Sequence, residues 1–505
     1  MLRYFGPPGT GKTTTLLNQV DGFLSEGISS NEMGYFAFTR KASHEARDRA
    51  VARFNLDPDE NFTYFRTLHS LSFLLLGMNS SAVLKETHMK EFSHKVGVDL
   101  TPGVGNEEDE GFVVFRTSHP IMRCVDLARS TLQGPEYAYR RSELFITYYE
   151  FFHIYEEYDK FKKANGLKDF TDMLVDLAEN PQYIPHLKVV FLDEAQDLTP
   201  LQWKIAHHLN EKSDRMFIAG DDDQGIYRWA GADINHFISL EGGSEVLSQS
   251  YRIPRTIFNV ADSIVHRIKH RQQKYWLPRK DEGSVSRTYD YWGVEFNDES
   301  WLVLAQASYM LNEIAYSLKS SGQIFERYGN SSLNKKVSSA IFSWNYLTSN
   351  TGHQINHKEA LNVYDHISSS DGQLIRGAKK LLKDADETEI FDMQLLREHF
   401  GLEAEGSWER ALDKIRDEDR AYATALINRG VNLKEKPKIK LSTIHGAKGG
   451  EADNVLLYLD LSGKALDEMA RNPDDAYRVL YVGATRAKQN LILKLPEDSQ
   501  RGWMI

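Results

Sequence analysis

Cysteine is nearly absent from this chain: Cys124 is the one cysteine in 505 residues. No disulfide can form within the chain, and a cysteine-based zinc site is not expected. A reducing, intracellular setting fits that composition. No run of about 18 apolar residues occurs, so no membrane span is expected. The opening MLRYFGPPGTGKT lacks a charged stretch followed by a long apolar one, and no signal peptide is expected; the expected location is the cytoplasm. Short-period repeats and low-complexity tracts are missing too. Positive charge is in deficit, with 61 Lys and Arg against 72 Asp and Glu and a formal net charge of −11. That balance argues against a surface coated for non-specific nucleic-acid binding, yet leaves room for a channel with local positive charge and stacking aromatics.

What is present alternates between strand and helix signals. Residues 2–5 read as a short strand running into a glycine loop and a helix. Further strand-like runs occur at 34–38, 62–65, 188–192 and 215–219, the last two followed by acidic clusters. The pattern predicts an α/β domain with a parallel sheet. Residues 71–165 lack strand alternation. Aromatics at 145, 148, 149, 152, 155, 158 and 161 have helical spacing and predict a buried helix face. Residues 103–111 read as an exposed acidic loop. A second α/β unit is expected from strands at 301–305, 438–442 and 454–459 with a helix near 475–480. The intervening 326–435 reads as a polar, largely helical insertion with loop-like starts such as 329–332.

Two motifs carry nucleotide chemistry. Gly6-Pro7-Pro8-Gly9-Thr10-Gly11-Lys12-Thr13 is a G-x-x-x-x-G-K-T loop after a strand and before a helix. Its backbone N–H groups and the helix N-terminus favour phosphate. Lys12 is expected to reach the β- and γ-phosphates and Thr13 to offer its hydroxyl to Mg²⁺. The apolar run 189–192 ends in Asp193 and Glu194. At the C-terminal end of a parallel strand, Asp193 can hold the metal shell and Glu194 can orient and deprotonate an attacking water. The rival reading, that the two carboxylates merely cap the next helix, is weak beside a phosphate loop. These motifs predict a nucleoside triphosphatase and do not say what it drives.

The remaining motifs narrow the answer. Residues 193–197 (DEAQD), 220–232 (GDDDQGIYRWAGA), 38–42 (FTRKA), 67–70 (TLHS), Tyr251-Arg252, 443–451 (TIHGAKGGE) and 481–487 (YVGATRA) occur in an order and spacing that resemble the UvrD/Rep/PcrA-like superfamily 1 DNA helicases over almost the whole chain. The resemblance implies two RecA-like P-loop domains with parallel sheets, each carrying a mainly helical insertion: 1–70 with 166–258, insertion 71–165; then 259–325 with 436–505, insertion 326–435. It implies ATP and Mg²⁺ as cofactors, with Gln224 sensing the γ-phosphate and Arg252 and Arg486 stabilising charge on the transferring phosphoryl group, a task suited to an always-charged planar fork. It further implies Tyr251 on adenine, Glu451 on ribose, and Thr14 beside the loop. Phe38, Thr39, His69, Tyr227, Trp229 and His445 match DNA-track positions, where stacking tolerates any base; a satisfied structural histidine is the rival reading of His69.

Departures from the family pattern carry expectations of their own. Thr14 stands where relatives often have an arginine, and the adenine-reading glutamine segment upstream of the loop is not seen, so weak base discrimination is expected. The motif at 220–232 has Ala230 where an arginine is common, with Arg228 nearby, and Gly450 sits in a turn where relatives have larger residues. No extended tail follows the motif at 481–487, so a tail-dependent partner contact is not expected. The resemblance implies a nucleoid-associated motor on single-stranded DNA and single-strand/duplex junctions, moving 3′→5′ and unwinding duplexes, with replication or repair proteins as candidate partners; a monomer is the default expectation. A single-strand translocase that displaces proteins with little unwinding is the alternative.

Overall fold

The computed structural model describes residues 1–37, 47–48, 51–52, 61–100, 119–350, 352–369 and 372–504. The chain divides into two compact units, residues 1–289 with 444–505, and residues 290–443.

The first unit is built on a six-stranded sheet of β1 (Leu2–Phe5), β2 (Met33–Phe36), β3 (Phe65–Arg66), β4 (Leu187–Leu192), β5 (Ser213–Gly220) and β6 (Gly243–Val246), in the order β3-β2-β4-β5-β1-β6. Every pairing is parallel. Side chains alternate between the faces, as a period of two requires. Phe5, Phe36, Val190 and Leu192 pack on one side against the helices Phe170–Glu179 and Pro200–Glu211. Tyr4, Tyr35, Val189 and Phe191 pack on the other against Leu16, Leu17, Val20 and Phe23 of the helix Lys12–Ser25. Both faces are therefore covered, as a parallel sheet needs.

Residues 71–165 are helical wherever they are described as regular structure, apart from short turns. Met89, Phe92, Ile121, Val125, Phe151 and Phe161 share one core there. The predicted aromatic helix is Tyr148–Ala164, started by Thr147, whose hydroxyl accepts from the Glu150 N–H at 3.3 Å. The expected face is only half right. Phe151, Ile154, Tyr158 and Phe161 are buried, whereas Phe145 precedes the helix and Tyr149 lies on its outer side, 84% exposed. Two residues along a helix turn the side chain by about 200°, so 149 and 151 cannot share a face. The acidic segment 103–111 lies outside the described residues. Past the sixth strand comes the helix Arg255–Val265 and then β7 (Ser284–Thr288).

The second unit contains β8 (Trp301–Ala305), β9 (Phe325–Arg327), β10 (Asn330–Ser331), β11 (Gln354–Asn356), β12 (Ile390–Asp392) and β13 (Ile439–Thr443). β13 pairs in parallel with β8 and β9, and β10 turns back antiparallel on β9 through Tyr328, at φ 53°. Residues 329–332, read from sequence as a loop start, thus hold a two-residue strand too short to show alternation. The rest is largely helical, around a core that includes Trp344, Tyr364, Phe391 and Trp408, with the small antiparallel pair β11–β12 at its side.

The chain then returns to the first unit with β14 (Ala452–Tyr458), the helices Gly463–Arg471 and Pro473–Ala484, and β15 (Ala487–Lys494). β15 pairs in parallel with both β14 and β7. Among the described residues, no helix is long and apolar enough to cross a membrane.

Candidate nucleotide and nucleic-acid site

Strands β1, β4 and β5 lie side by side and end at the same edge of the sheet. That edge is where an open parallel sheet binds ligands. Phe5 runs into the glycine loop, Leu192 into Asp193 and Gly220 into Asp221. The loop folds back so that the Gly6 N–H donates to the Gly220 carbonyl at 2.9 Å. Lys12 Nζ lies over it, donating to the Gly6 carbonyl at 3.1 Å, and stands 3.8 Å from Glu194 Oε1. A Cβ on Gly6 would lie 2.1 Å from Lys12 Cγ, so only glycine leaves room for that lysine. Thr10 closes the turn, its hydroxyl donating to the Pro7 carbonyl at 2.8 Å, and Thr14 faces outward from the first helical turn.

Thr13 Oγ1 donates to Asp193 Oδ2 at 2.7 Å, and the buried Tyr35 hydroxyl donates to the same oxygen at 2.9 Å. Burial and the neighbouring Glu194 carboxylate raise Asp193 above the usual carboxylate range. A hydroxyl and a buried carboxylate, with a second carboxylate crowding it, form a hard oxygen donor set that suits Mg²⁺. Glu194 holds a left-handed backbone at φ 53°, a strained state for a non-glycine residue. Its Oε2 accepts from Gln196 Nε2 at 2.6 Å. Burial works to raise the Glu194 carboxyl, but Lys12, Lys448 and the Gln196 amide outweigh it and hold the group below its ordinary value. Glu194 is therefore ionised at neutral pH, as a proton acceptor must be.

A connected set of polar groups runs on from there. Gln196 Oε1 accepts from the Asp221 N–H at 2.9 Å. Asp221 Oδ2 accepts from Gln224 Nε2 at 2.7 Å, and Gln224 Oε1 accepts from Arg486 Nη2 at 2.9 Å. Arg486 is buried behind the helix Pro473–Ala484 and donates also to the Val482 and Gly450 carbonyls. Burial, with Arg252 nearby, pulls Arg486 down to about 9, so it keeps its charge at pH 7. Lys448 Nζ donates to the Gln224 carbonyl at 2.7 Å and to both oxygens of buried Asp197 at 2.7 and 2.6 Å. Burial raises Asp197 to about 6 even against that ammonium.

The segment holding Ser250, Tyr251 and Arg252 clasps the glycine loop. The Tyr251 N–H donates to the Gly9 carbonyl at 2.8 Å, and Ser250 Oγ donates to the Pro8 carbonyl at 2.7 Å. The Tyr251 ring is left 73% exposed beside the loop. Arg252 Nη2 meets Glu451 Oε2 at 2.5 Å, and Glu451 also meets Lys488 at 3.2 Å.

Lys448 Nζ stands over the Tyr227 ring at 4.8 Å. Trp229 lies edge-on to His445 with ring centres 6.2 Å apart, and Tyr227 tilts against His445 at 6.3 Å. Burial and the Lys448 ammonium pull the His445 imidazole down to about 4, so it is neutral at pH 7. Trp229 is 40% exposed and Tyr227 buried, so the two aromatics present one open ring and one covered ring. Arg228 pairs with Asp475 at 3.3 Å, and the Gly450 turn is closed by its N–H on the Ala447 carbonyl. His69 rests edge-on against Phe170 at the start of its helix. Phe38 and Thr39 lie outside the described residues.

The sequence motifs contained Gln196, Asp197 and Lys448 but gave no reason to single them out; their roles in the network are visible only in three dimensions. Lys274 and Arg271 carry no local signal at all.

Comparison with known proteins agrees with this geometry. The model of the UvrD/REP helicase N-terminal domain matches residues 5–243, and that of the UvrD-like helicase C-terminal domain matches residues 422–497. The ATP-dependent DNA helicase Rep of Buchnera aphidicola is 24% identical over 291 residues, 55% of this chain and 42% of that protein. The ATP-dependent DNA helicase PcrA of Bacillus subtilis is 24% identical over 291 residues, 54% of this chain and 39% of its own length. The putative ATP-dependent DNA helicase YjcD of the same organism is 23% identical across 97% of this chain and 76% of its own. The chain thus spans about two fifths of the length of the first two relatives.

Proposed function

Because this chain belongs to the UvrD/REP helicase family, we propose that it is an ATP-driven motor that moves 3′→5′ on single-stranded DNA and unwinds duplexes from single-strand/duplex junctions. The observation that carries this reading is the unbroken path from the glycine loop to the open aromatic face: Glu194 to Gln196, Asp221, Gln224 and Lys448, which stands over Tyr227 beside His445 and Trp229. A change at the nucleotide can move along that path because its members are packed and hydrogen-bonded in series.

In this reading Lys12 leaves the Gly6 carbonyl for the β- and γ-phosphates, and the loop N–H groups and the helix N-terminus take the remaining phosphate oxygens. Thr13 and Asp193 hold Mg²⁺, which when bound neutralises phosphate charge. Glu194 accepts the proton of the attacking water. Gln224 reports on the γ-phosphate, while Arg486 and Arg252 stabilise charge on the phosphoryl group in transfer. For Arg252 to do so, the Glu451 pair must open, freeing Glu451 for the ribose; Tyr251 stacks on the base. Trp229, Tyr227, His445 and His69 line the DNA track, Phe38 and Thr39 are given the same DNA-binding role by the motif resemblance alone, and a monomer suffices for the cycle.

The test is ATP hydrolysis with and without single-stranded DNA, followed by unwinding of duplexes tailed at 3′ or 5′ ends. Strong DNA stimulation with unwinding of the 3′-tailed duplex is expected. Stimulation without unwinding would favour a single-strand translocase that displaces bound proteins. Hydrolysis indifferent to DNA would remove the motor reading.

A further inference from the structure

Lys274 lies in an otherwise unremarked segment between the helix Arg255–Val265 and β7, and its side chain is fully buried. Its ammonium sits among three consecutive carboxylates: 2.8 Å from Asp221 Oδ1, 2.8 Å from Asp223 Oδ2, and against Asp222. Those carboxylates stand close enough together to hold a metal ion, but the lysine fills that place. Neighbours on the same segment complete the arrangement. Arg271 binds Asp223 with two bonds, 2.7 and 2.6 Å, and the Gln272 N–H donates to Asp222 Oδ2 at 2.7 Å. A buried lysine is costly unless paired, so three partners on one ammonium call for a reason.

The reason lies in how Asp221 divides its two oxygens. Oδ1 is held by Lys274, and Oδ2 accepts from the Gln224 amide. A glutamine amide presents a donor and an acceptor of nearly equal shape, so only its partners decide which way round it stands. Here the NH2 faces Asp221 and the carbonyl oxygen faces the Arg486 guanidinium. Turned around, the amide would set its donor against the donors of Arg486. The choice rests on Asp221 staying an ionised, correctly turned acceptor. Burial alone would raise that carboxyl; Lys274, ahead of Lys12, brings it below its ordinary range.

We infer that Lys274 is a positioning residue for Gln224: through Asp221 it sets the orientation of the amide that pairs with Arg486. The inference rests on the hydrolysis reading given above, in which Gln224 and Arg486 serve phosphoryl transfer. The Lys274 ammonium is fully buried against Asp221, Asp222 and Asp223, so it acts on Gln224 through the carboxylate.

A double-mutant cycle tests this. kcat and KM for DNA-stimulated ATP hydrolysis are measured for the unaltered chain, Lys274→Met, Gln224→Ala and the pair together, with thermal unfolding of each. Lys274→Met is expected to lower kcat roughly 10–100-fold while the KM for ATP stays put, the sign of an interaction felt in the transition state. In the Gln224→Ala background the same change is expected to cost nothing further, because the group it positions is gone. Losses that multiply, or a Lys274→Met protein that melts earlier yet keeps full kcat while folded, would overturn the inference and leave the hydrolysis reading standing. An unaltered chain that fails to hydrolyse ATP would overturn the hydrolysis reading, and this one with it. Should Lys274→Met not fold, Asp221→Asn enters the same cycle. It keeps the lysine and removes the charge through which it acts, and the same non-additivity is expected; independent losses would overturn the inference.

Discussion

Replacing Arg486 by methionine separates stability from chemistry in this protein. Arg486 is fully buried, and burial together with Arg252 brings it from 12.5 to about 9. At 1.36 kcal/mol per unit, that shift is about 5 kcal/mol working against the charged form in the folded chain. Methionine fills similar space without charge and removes that burden. Its loss is four donated bonds, to Gln224 Oε1, Val482 O, Gly450 O and, at 3.5 Å, Thr485 Oγ1. The Val482 carbonyl keeps the Thr485 hydroxyl as a donor, so Gln224 Oε1 and the Gly450 carbonyl are left bare at about 1–3 kcal/mol each, a loss of the same order as the burden removed. Arg486→Met is thus expected to leave the urea-unfolding midpoint close to that of the unaltered chain. Hydrolysis is another matter: an arginine serving phosphoryl transfer contributes about 10³–10⁵-fold, so DNA-stimulated phosphate release should fall by that range. A variant that hydrolyses ATP within about tenfold of the parent would refute the assignment of Arg486 to the reacting phosphate. A variant that is inactive because it unfolds at the assay temperature would refute the stability reasoning.

Gly9→Ala places a Cβ 2.3 Å from Arg252 Cβ at a position with φ +71°. The left-handed backbone costs about 1–2 kcal/mol for alanine, and the overlap must push Tyr251 and Arg252 off the loop, so a raised nucleotide KM and a lowered unfolding midpoint are both expected; an unchanged KM would show that the Tyr251–Arg252 clasp is idle. Trp229→Ala should weaken single-stranded DNA binding by roughly 5- to 150-fold, the equivalent of about 1–3 kcal/mol for one stacked base, measured by fluorescence anisotropy; equal affinity would take Trp229 out of the DNA track. Asp126 is buried in the helical part of the first unit, where burial and Asp169 raise it to about 7 against the pull of Arg129 and Lys162. Because its folded value stands above the unfolded 3.8, the folded chain holds that proton more tightly and loses stability as pH rises from about 4 through about 7. Asp126→Asn, which keeps an acceptor for the Thr171 hydroxyl, should therefore gain stability over the parent above that window and none at its acid end; a gain that is the same at every pH would count against the cause.

The parts of the fold that were readable in advance are those written in neighbouring residues. β1 and β8 occupy residues 2–5 and 301–305 as the apolar runs predicted, and β4, β5, β13 and β14 differ from their predicted spans by a residue or two. β15 is not legible in the sequence, because its alternation at Leu491 and Leu493 runs directly out of the motif at 481–487. β10, β11 and β12 have two or three residues each, too few for a period of two to show.

For the site, the division follows how far apart the chemical partners lie along the chain. Glycine spacing and a strand ending in carboxylates are local patterns, so Lys12, Thr13, Asp193 and Glu194 could be named from the sequence, and the seven ordered motifs added Gln224, Arg252 and Arg486. Nothing local marks Lys274, whose carboxylate partners stand about fifty residues earlier, and the motif that contains Lys448 gives no sign of its partner Asp197, 251 residues away. Nor could composition foretell the strained backbone of Glu194 or a His445 imidazole brought down to about 4. The sequence by itself determined which chemical groups exist and which strand ends and turns carry them, since propensity and glycine geometry act over a few residues. Only the tertiary structure decided which charges meet out of water. There a proton's affinity and an amide's orientation depend on every neighbour that folding brings within a few ångströms, and those neighbours come from all along the chain.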